Sequence, residues 1–283
     1  MNPQKHNMAV LGQIVKLIPR KIIESLRKKH KIQTRSFTAT SHVVAMIYSQ
    51  LTHALSLNDV CDGMKNHHGI LSQIRDCVPP SRNGLAHANK NRPAAMAEEL
   101  FWIVYNELKT HDPEFFQSSR NYPGLPRRFK RAIHIVDSST IPLIAKCMDW
   151  AKHRSQKAAA KLHMDLLLGA FLPGSICELY KSRWAIEVFF KEIKQTLQLA
   201  DFMGTSENAV KWQIWTSLLT YLLLRFIDWK HQWKHSFHRL FTLIRAILWN
   251  FLNLEIVLKA CEKVKSKSNK PPPPVPKQME FYF

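Results

Sequence analysis

The chain has 283 residues, 46% of them hydrophobic, enough to bury a sizeable core in one large or two moderate domains. Its 41 Lys and Arg against 21 Asp and Glu leave a formal net charge of +20, an excess that suits a polyanionic partner: nucleic acid first, an anionic membrane surface second. The most apolar stretch, Trp212 to Leu224, is 13 residues long where a spanning helix takes about 20, so no membrane span is expected.

The N-terminus carries no apolar run closed by a small-residue cleavage site, so the cytoplasm is the expected location. From Leu11 to about Lys109 apolar residues recur at helical spacing, as in Leu11, Ile14, Val15 and Ile18, or Val43, Val44, Ile47 and Leu51. Thr38 or Thr40, Ser56 and Ser81 are placed to cap successive helices, which predicts a small helical bundle. Between Glu107 and Lys130 the chain turns polar and Pro-rich, as a linker would.

Two strand candidates follow, Ala132 to Val136 and Lys161 to Leu168, the second equally compatible by periodicity with a helix start. After Pro173-Gly174 helical spacing returns as far as Cys261, and a Lys-rich, Pro-rich tail from Lys263 reads as disordered. The five cysteines are scattered, odd in number and never spaced C-x-x-C, so they predict neither a disulfide framework nor a zinc cluster.

Glu178 to Gln198 has the pattern of an amphipathic helix. Arg183, Glu187 and Lys194 fall within about 60° of Tyr180 at 100° per residue, while Leu179, Ile186, Phe189, Phe190, Ile193 and Leu197 occupy the neighbouring arc. On spacing alone Arg183 and Glu187 are an ordinary i,i+4 surface pair and Lys194 a solvated charge.

The pattern Tyr-x2-Arg-x3-Glu-x6-Lys nevertheless resembles the signature of the insertion-sequence-four (IS-four) family of bacterial DDE transposases. The resemblance continues through Gly204-Thr205-Ser206-Glu207-Asn208-Ala209-Val210. Upstream, Ile135-Val136-Asp137-Ser138-Ser139-Thr140-Ile141 resembles the strand that carries the family's first catalytic aspartate, and Trp150 to Lys152 with Lys161 to His163 resembles the hairpin after it. The stretches GQIVKLIPRK, FTATSHVVAMIYSQLTHALSLNDV and SRNGLAHANKNR look like the helical DNA-binding domain of one branch of that family.

The resemblance implies an α+β, mostly helical fold: a helical DNA-binding domain over residues 1–110, a linker over 111–131, a truncated RNase H-like core over 132–262, and the tail over 263–283. It implies a bacterial protein acting on double-stranded DNA at element terminal repeats, assembled as a homo-oligomer or with a full-length relative, and not on membranes. Such enzymes use three carboxylates to hold two divalent ions, Mg²⁺ by preference, for strand cleavage and transfer. By motif match Asp137 is the first carboxylate and Glu187 the last, both metal-binding, with Tyr180, Arg183 and Lys194 as DNA contacts.

The middle aspartate has no counterpart. Asp149, Asp165 and Glu178 are the acids between Asp137 and Glu187, and none stands in a segment like the one that carries it. The resemblance lapses at about Pro173 and resumes at about Ile176, as an internal deletion would leave it, and the expected consequence is deficient cleavage.

The recognition-helix candidate opens near Ser81 and offers Arg82, Asn83, Lys90 and Arg92, with His87 and Asn91, to phosphates and base edges. A merely solvated basic helix is the competing reading. His231, His235 and His238 share a helical face, but Lys230, Lys234 and Arg239 beside them would repel a cation, so a solvated basic face is expected there too.

Overall fold

A computed structural model describes residues 5–117, 133–143, 152–154, 157–168, 187–197 and 202–263. The described residues are mostly helical. The N-terminal block holds α1 (Val10–Lys16), α2 (Arg20–Lys29), α3 (Ala39–Thr52), α4 (Leu57–Asn66), α5 (His68–Ser72), α6 (Arg82–Asn91), α7 (Ala95–His111) and α8 (Pro113–Gln117). The C-terminal block holds α9 (Glu207–Lys230), α10 (Phe237–Ile247) and α11 (Leu254–Lys263).

Helix starts follow the local chemistry. Thr38, not Thr40, caps α3 by accepting from the Ser41 amide; Ser56 and Asp59 form a reciprocal capping box on α4; Ser81 accepts from the Gly84 amide to cap α6. The expected linker begins later than its composition suggests. Residues 107–111 complete α7 and α8 follows, with Phe115 packed edge-on to Phe226 at 5.5 Å between centroids, so tertiary contact with α9 extends the helical region.

Three strands, β1 (Ile133–Leu143), β2 (Lys152–Arg154) and β3 (Lys157–Leu168), form an antiparallel sheet in the order β1-β3-β2. β3 settles the strand-or-helix ambiguity at Lys161: pairing with β1 from Ile133↔Leu168 to Leu143↔Ala158 overrides the helical preference of Ala158, Ala159 and Ala160.

The helices at the two ends of the chain share one core. α9 is buried on nearly every side, and Trp212, Leu219, Leu223 and Leu224 meet Val43, Ile47 and Leu51 of α3 and Leu100 and Val104 of α7 in a continuous cluster that extends to Phe241, Ile244 and Leu258. The termini of this body are laced together: the His6 amide donates to the Phe251 carbonyl at 2.9 Å, and Gln13 donates to the Leu252 carbonyl at 2.7 Å while accepting from the Leu254 amide at 3.1 Å. Packing thus joins the helices of 1–110 to those of 202–263, which the residue patterns alone separate at a linker.

Candidate active site

Where the described residues resume at Glu187, residues 187–191 are helical and pass into a π-helical turn, Glu192–Thr196. The apolar arc packs as its spacing predicts: Phe190, Ile193 and Leu197 are buried and Phe189 meets the Tyr221 ring at 5.2 Å. The wide turn was not expected. The Leu197 amide donates to the Glu192 carbonyl five residues back, at 3.1 Å, so a regular 100° step fails just where it would align Lys194 with Glu187. Glu187 is exposed and Lys194 half-buried. Tyr180 and Arg183 lie outside the described residues.

Two attachments hold the turn in place. The Glu192 carboxylate accepts from the Tyr221 hydroxyl at 2.9 Å and from the Arg225 guanidinium at 2.5 Å, while Arg225 also reaches Asp228 at 2.8 Å and lies over the Phe237 ring. Burial pushes the Tyr221 phenol up, so the hydroxyl stays a donor. Burial works against charge on Arg225, but Tyr221, Glu192 and Asp228 hold its guanidinium more firmly protonated than usual.

The second attachment is His53, the left-handed C-cap of α3 with φ 55°. Its Nε2 lies 2.5 Å from the Thr196 carbonyl, which can only accept, so Nε2 carries the proton and Nδ1 accepts from Arg245 at 3.1 Å. The ring stacks on Phe241 at 4.7 Å. Helix α3 is thereby tied to the turn that follows Glu187.

Beside Glu187 the turn and the start of α10 enclose a cleft of about 540 Å³, with Lys191, Gln195 and Thr196 on one wall and Ser236, Phe237 and His238 on the other.

Asp137 lies on β1 opposite Met164, and Asp165 lies one step along β3, opposite Val136. Alternation along a pleated strand therefore places positions 137 and 165 on opposite faces of the sheet. Asp149 and Glu178 lie outside the described residues. No group of three or more His, Cys, Asp or Glu that could hold a metal ion occurs among the described residues. The exposed Glu187 carboxylate offers the hard oxygens that a divalent ion takes.

On α6, Arg82, Asn83, His87, Lys90 and Asn91 are exposed on one face, and Leu85, Ala88 and Asn89 are buried on the other. Arg92 is turned into the fold: its guanidinium donates to the Thr38 carbonyl at 3.0 Å and to the Phe37 carbonyl, and it covers the Phe37 ring.

The end of α6 is clamped by α9. Asn208 donates to the Asn89 and Arg92 carbonyls at 2.8 and 2.7 Å and accepts from the Ala94 amide at 2.9 Å; the Trp212 indole adds a second donor to the Arg92 carbonyl at 2.7 Å. These bonds satisfy carbonyls that a helix end leaves free. They also explain the run from Gly204 to Val210. Ser206 caps α9, and a Cβ at Gly204 would stand 2.6 Å from the Ala209 Cβ.

Residue spacing overlooked Glu192, Arg225, His53 and Asn208. Tyr221, Arg225 and Asp228 at i, i+4 and i+7 on an apolar helix were a legible signal of a buried polar stripe. His53 carried none.

Two family models match the chain: the Transposase DDE domain over residues 169–223, and a Domain of unknown function (DUF4372) over residues 6–74. Glu187 lies inside the first block; Asp137 and α6 lie outside both. Among curated proteins, the chain is 43% identical over 53 residues to the "Probable transposase for insertion sequence element IS5377" of Geobacillus stearothermophilus, covering 19% of this chain and 14% of that protein. It is 45% identical over 51 residues, 18% of this chain, to the protein of Sinorhizobium fredii named as transposase y4zB, again over 14% of its length. No solved structure matches. The likeness to transposases thus rests on residues 169–223, and the chain matches only about a seventh of the length of these relatives.

Proposed function

We propose that this chain is the DNA-binding, cleavage-deficient form of an insertion-sequence transposase of the IS-four branch. The observation that carries the reading is Glu187: an exposed carboxylate inside the DDE-domain block, on a segment fixed by Glu192, Arg225 and His53 and bordering a cleft. A rigidly mounted acid at a water-accessible cleft suits the last ligand of a metal-dependent phosphodiester site.

Asp137 is the first ligand on this reading, in a core of RNase H-like type cut short where Pro173 and Ile176 are joined through Gly174-Ser175. Tyr180, Arg183 and Lys194 contact DNA beside the ligands. The register of β1 and β3, which puts positions 137 and 165 on opposite faces of the sheet, supports leaving Asp165 out of the ligand set. With an incomplete donor set for Mg²⁺ the chain's own residues bind and orient DNA but do not complete the cut.

End recognition falls to the N-terminal helices, with Arg82, Asn83 and Lys90 on the exposed face of α6 and Arg92 holding that helix in place. The partner is the terminal repeat of an element, and the assembly is a homo-oligomer or a mixed complex with a full-length relative.

The test is incubation of the purified chain with labelled element ends and Mg²⁺ or Mn²⁺. Expected is a retarded complex with no nicking above that of Glu187→Ala. Clear nicking that disappears in Glu187→Ala would overturn the deficiency.

A further inference from the structure

The segment after α9 is basic without compensation. From Trp229 to Leu254 there is no Asp or Glu, while Lys230, His231, Lys234, His235, His238 and Arg239 follow one another closely. Lys230, Lys234, His238 and Arg239 are exposed. Ser236, Phe237 and His238 from this segment form the wall of the cleft that faces Glu187 and Lys191. The stretch from Trp229 to Leu254 lies outside both family-matched blocks.

We propose that Lys234, His238 and Arg239 form a phosphate-holding wall, along which a DNA backbone runs past Glu187. The inference rests on the DNA-acting reading and deepens it by naming where the strand next to that carboxylate is held.

Three observations support the assignment. Lys234 and Arg239 flank the α10 side of the cleft on a stretch of sequence without Asp or Glu, opposite the wall that carries Glu187 together with Lys191. Long-range field and short-range contact therefore both favour an anionic strand there. The cationic side chains sit on a fixed support, since Ser236 caps α10 and Phe237, Leu240, Phe241 and Ile244 are buried beneath it. That burial also disfavours an anionic membrane. A helix lying in a lipid interface needs its apolar face outward, and the apolar face of α10 is spent on the core.

The experiment is a salt titration of the full chain binding a plain labelled duplex. Lys234→Gln/Arg239→Gln is expected to lower the log–log salt slope by about 2 and to weaken binding at low salt by about tenfold or more, as loss of two phosphate contacts requires. Lys234→Gln/His238→Gln, which leaves the Arg239 to His235 contact at 3.2 Å intact, is expected to weaken binding with an unchanged circular dichroism spectrum. Lys259→Gln, an exposed residue paired with Glu255, should leave the slope as it is.

Unchanged slope and affinity in both double variants, with wild-type binding strong, would overturn this inference and leave the DNA-acting reading standing. Absence of wild-type binding to any duplex would overturn both, and capture by anionic vesicles in its place would assign the strip to a membrane.

Discussion

His42 donates from Nε2 to the Asn89 Oδ1 at 2.7 Å, lies against Trp212 at 4.3 Å, and at Nδ1 has no hydrogen-bond partner among the described residues. Burial pushes its pKa down to about 3, with Arg92 adding to the effect, so the ring is neutral in the folded protein. Above the ordinary histidine range both folded and unfolded chains are neutral here, and nothing is lost. As pH falls below about 6.5 the unfolded chain takes up a proton that the folded one refuses, and stability drops by about 1.4 kcal/mol per pH unit down to about pH 3. The denaturant midpoint should therefore fall between pH 6.5 and pH 4.5. His42→Gln should start lower at pH 7 and decline less steeply; an equal slope in both proteins would contradict the assignment. This residue gives no sequence signal, because a histidine in an apolar helix takes its hydrogen bond from Asn89 and its closest ring contact from Trp212, 47 and 170 positions away.

Caps at Thr38, Ser56 and Ser81 were legible because each bond spans three residues and depends on local chain geometry alone. The apolar arc of the Glu187 segment was legible for the same reason. The π turn after it was not, since it is sustained by Arg225 and His53 from distant helices. The clamp on α6 is equally remote: Asn208 lies more than a hundred residues from its partners. Asn208→Ala should leave the Asn89 carbonyl and the Ala94 amide short of partners, with the Arg92 carbonyl still held by Trp212, and cost about 2–3 kcal/mol, read as a lower denaturant midpoint with the slope unchanged. Because the clamp orients α6, the same variant should weaken duplex binding even at temperatures where it stays folded. Full binding by the folded variant would detach α6 from recognition.

The larger organisation was the least legible part. A polar, Pro-rich stretch ordinarily marks a domain boundary, and periodicity says nothing about which helices share a core. Here α9 carries Trp212, Leu219 and Leu223 into the space between α3 and α7, and α10 and α11 add Phe241 and Leu258. Residues 1–117 produced alone should thus expose the apolar faces of α3 and α7. Such a fragment is expected to bind hydrophobic dye and to melt without a cooperative transition, whereas independent folding, with a sharp transition and native-like helicity, would restore the two-domain division.

The lacing of His6 and Gln13 to Phe251, Leu252 and Leu254 also sets the order of events during synthesis. Helices α1 to α7 leave the ribosome long before the segment that closes over them. At about 5–20 residues per second, the stretch between α7 and α11 takes on the order of 10–30 s to make. For that interval the nascent chain presents the open faces of α3 and α7, a natural target for a chaperone.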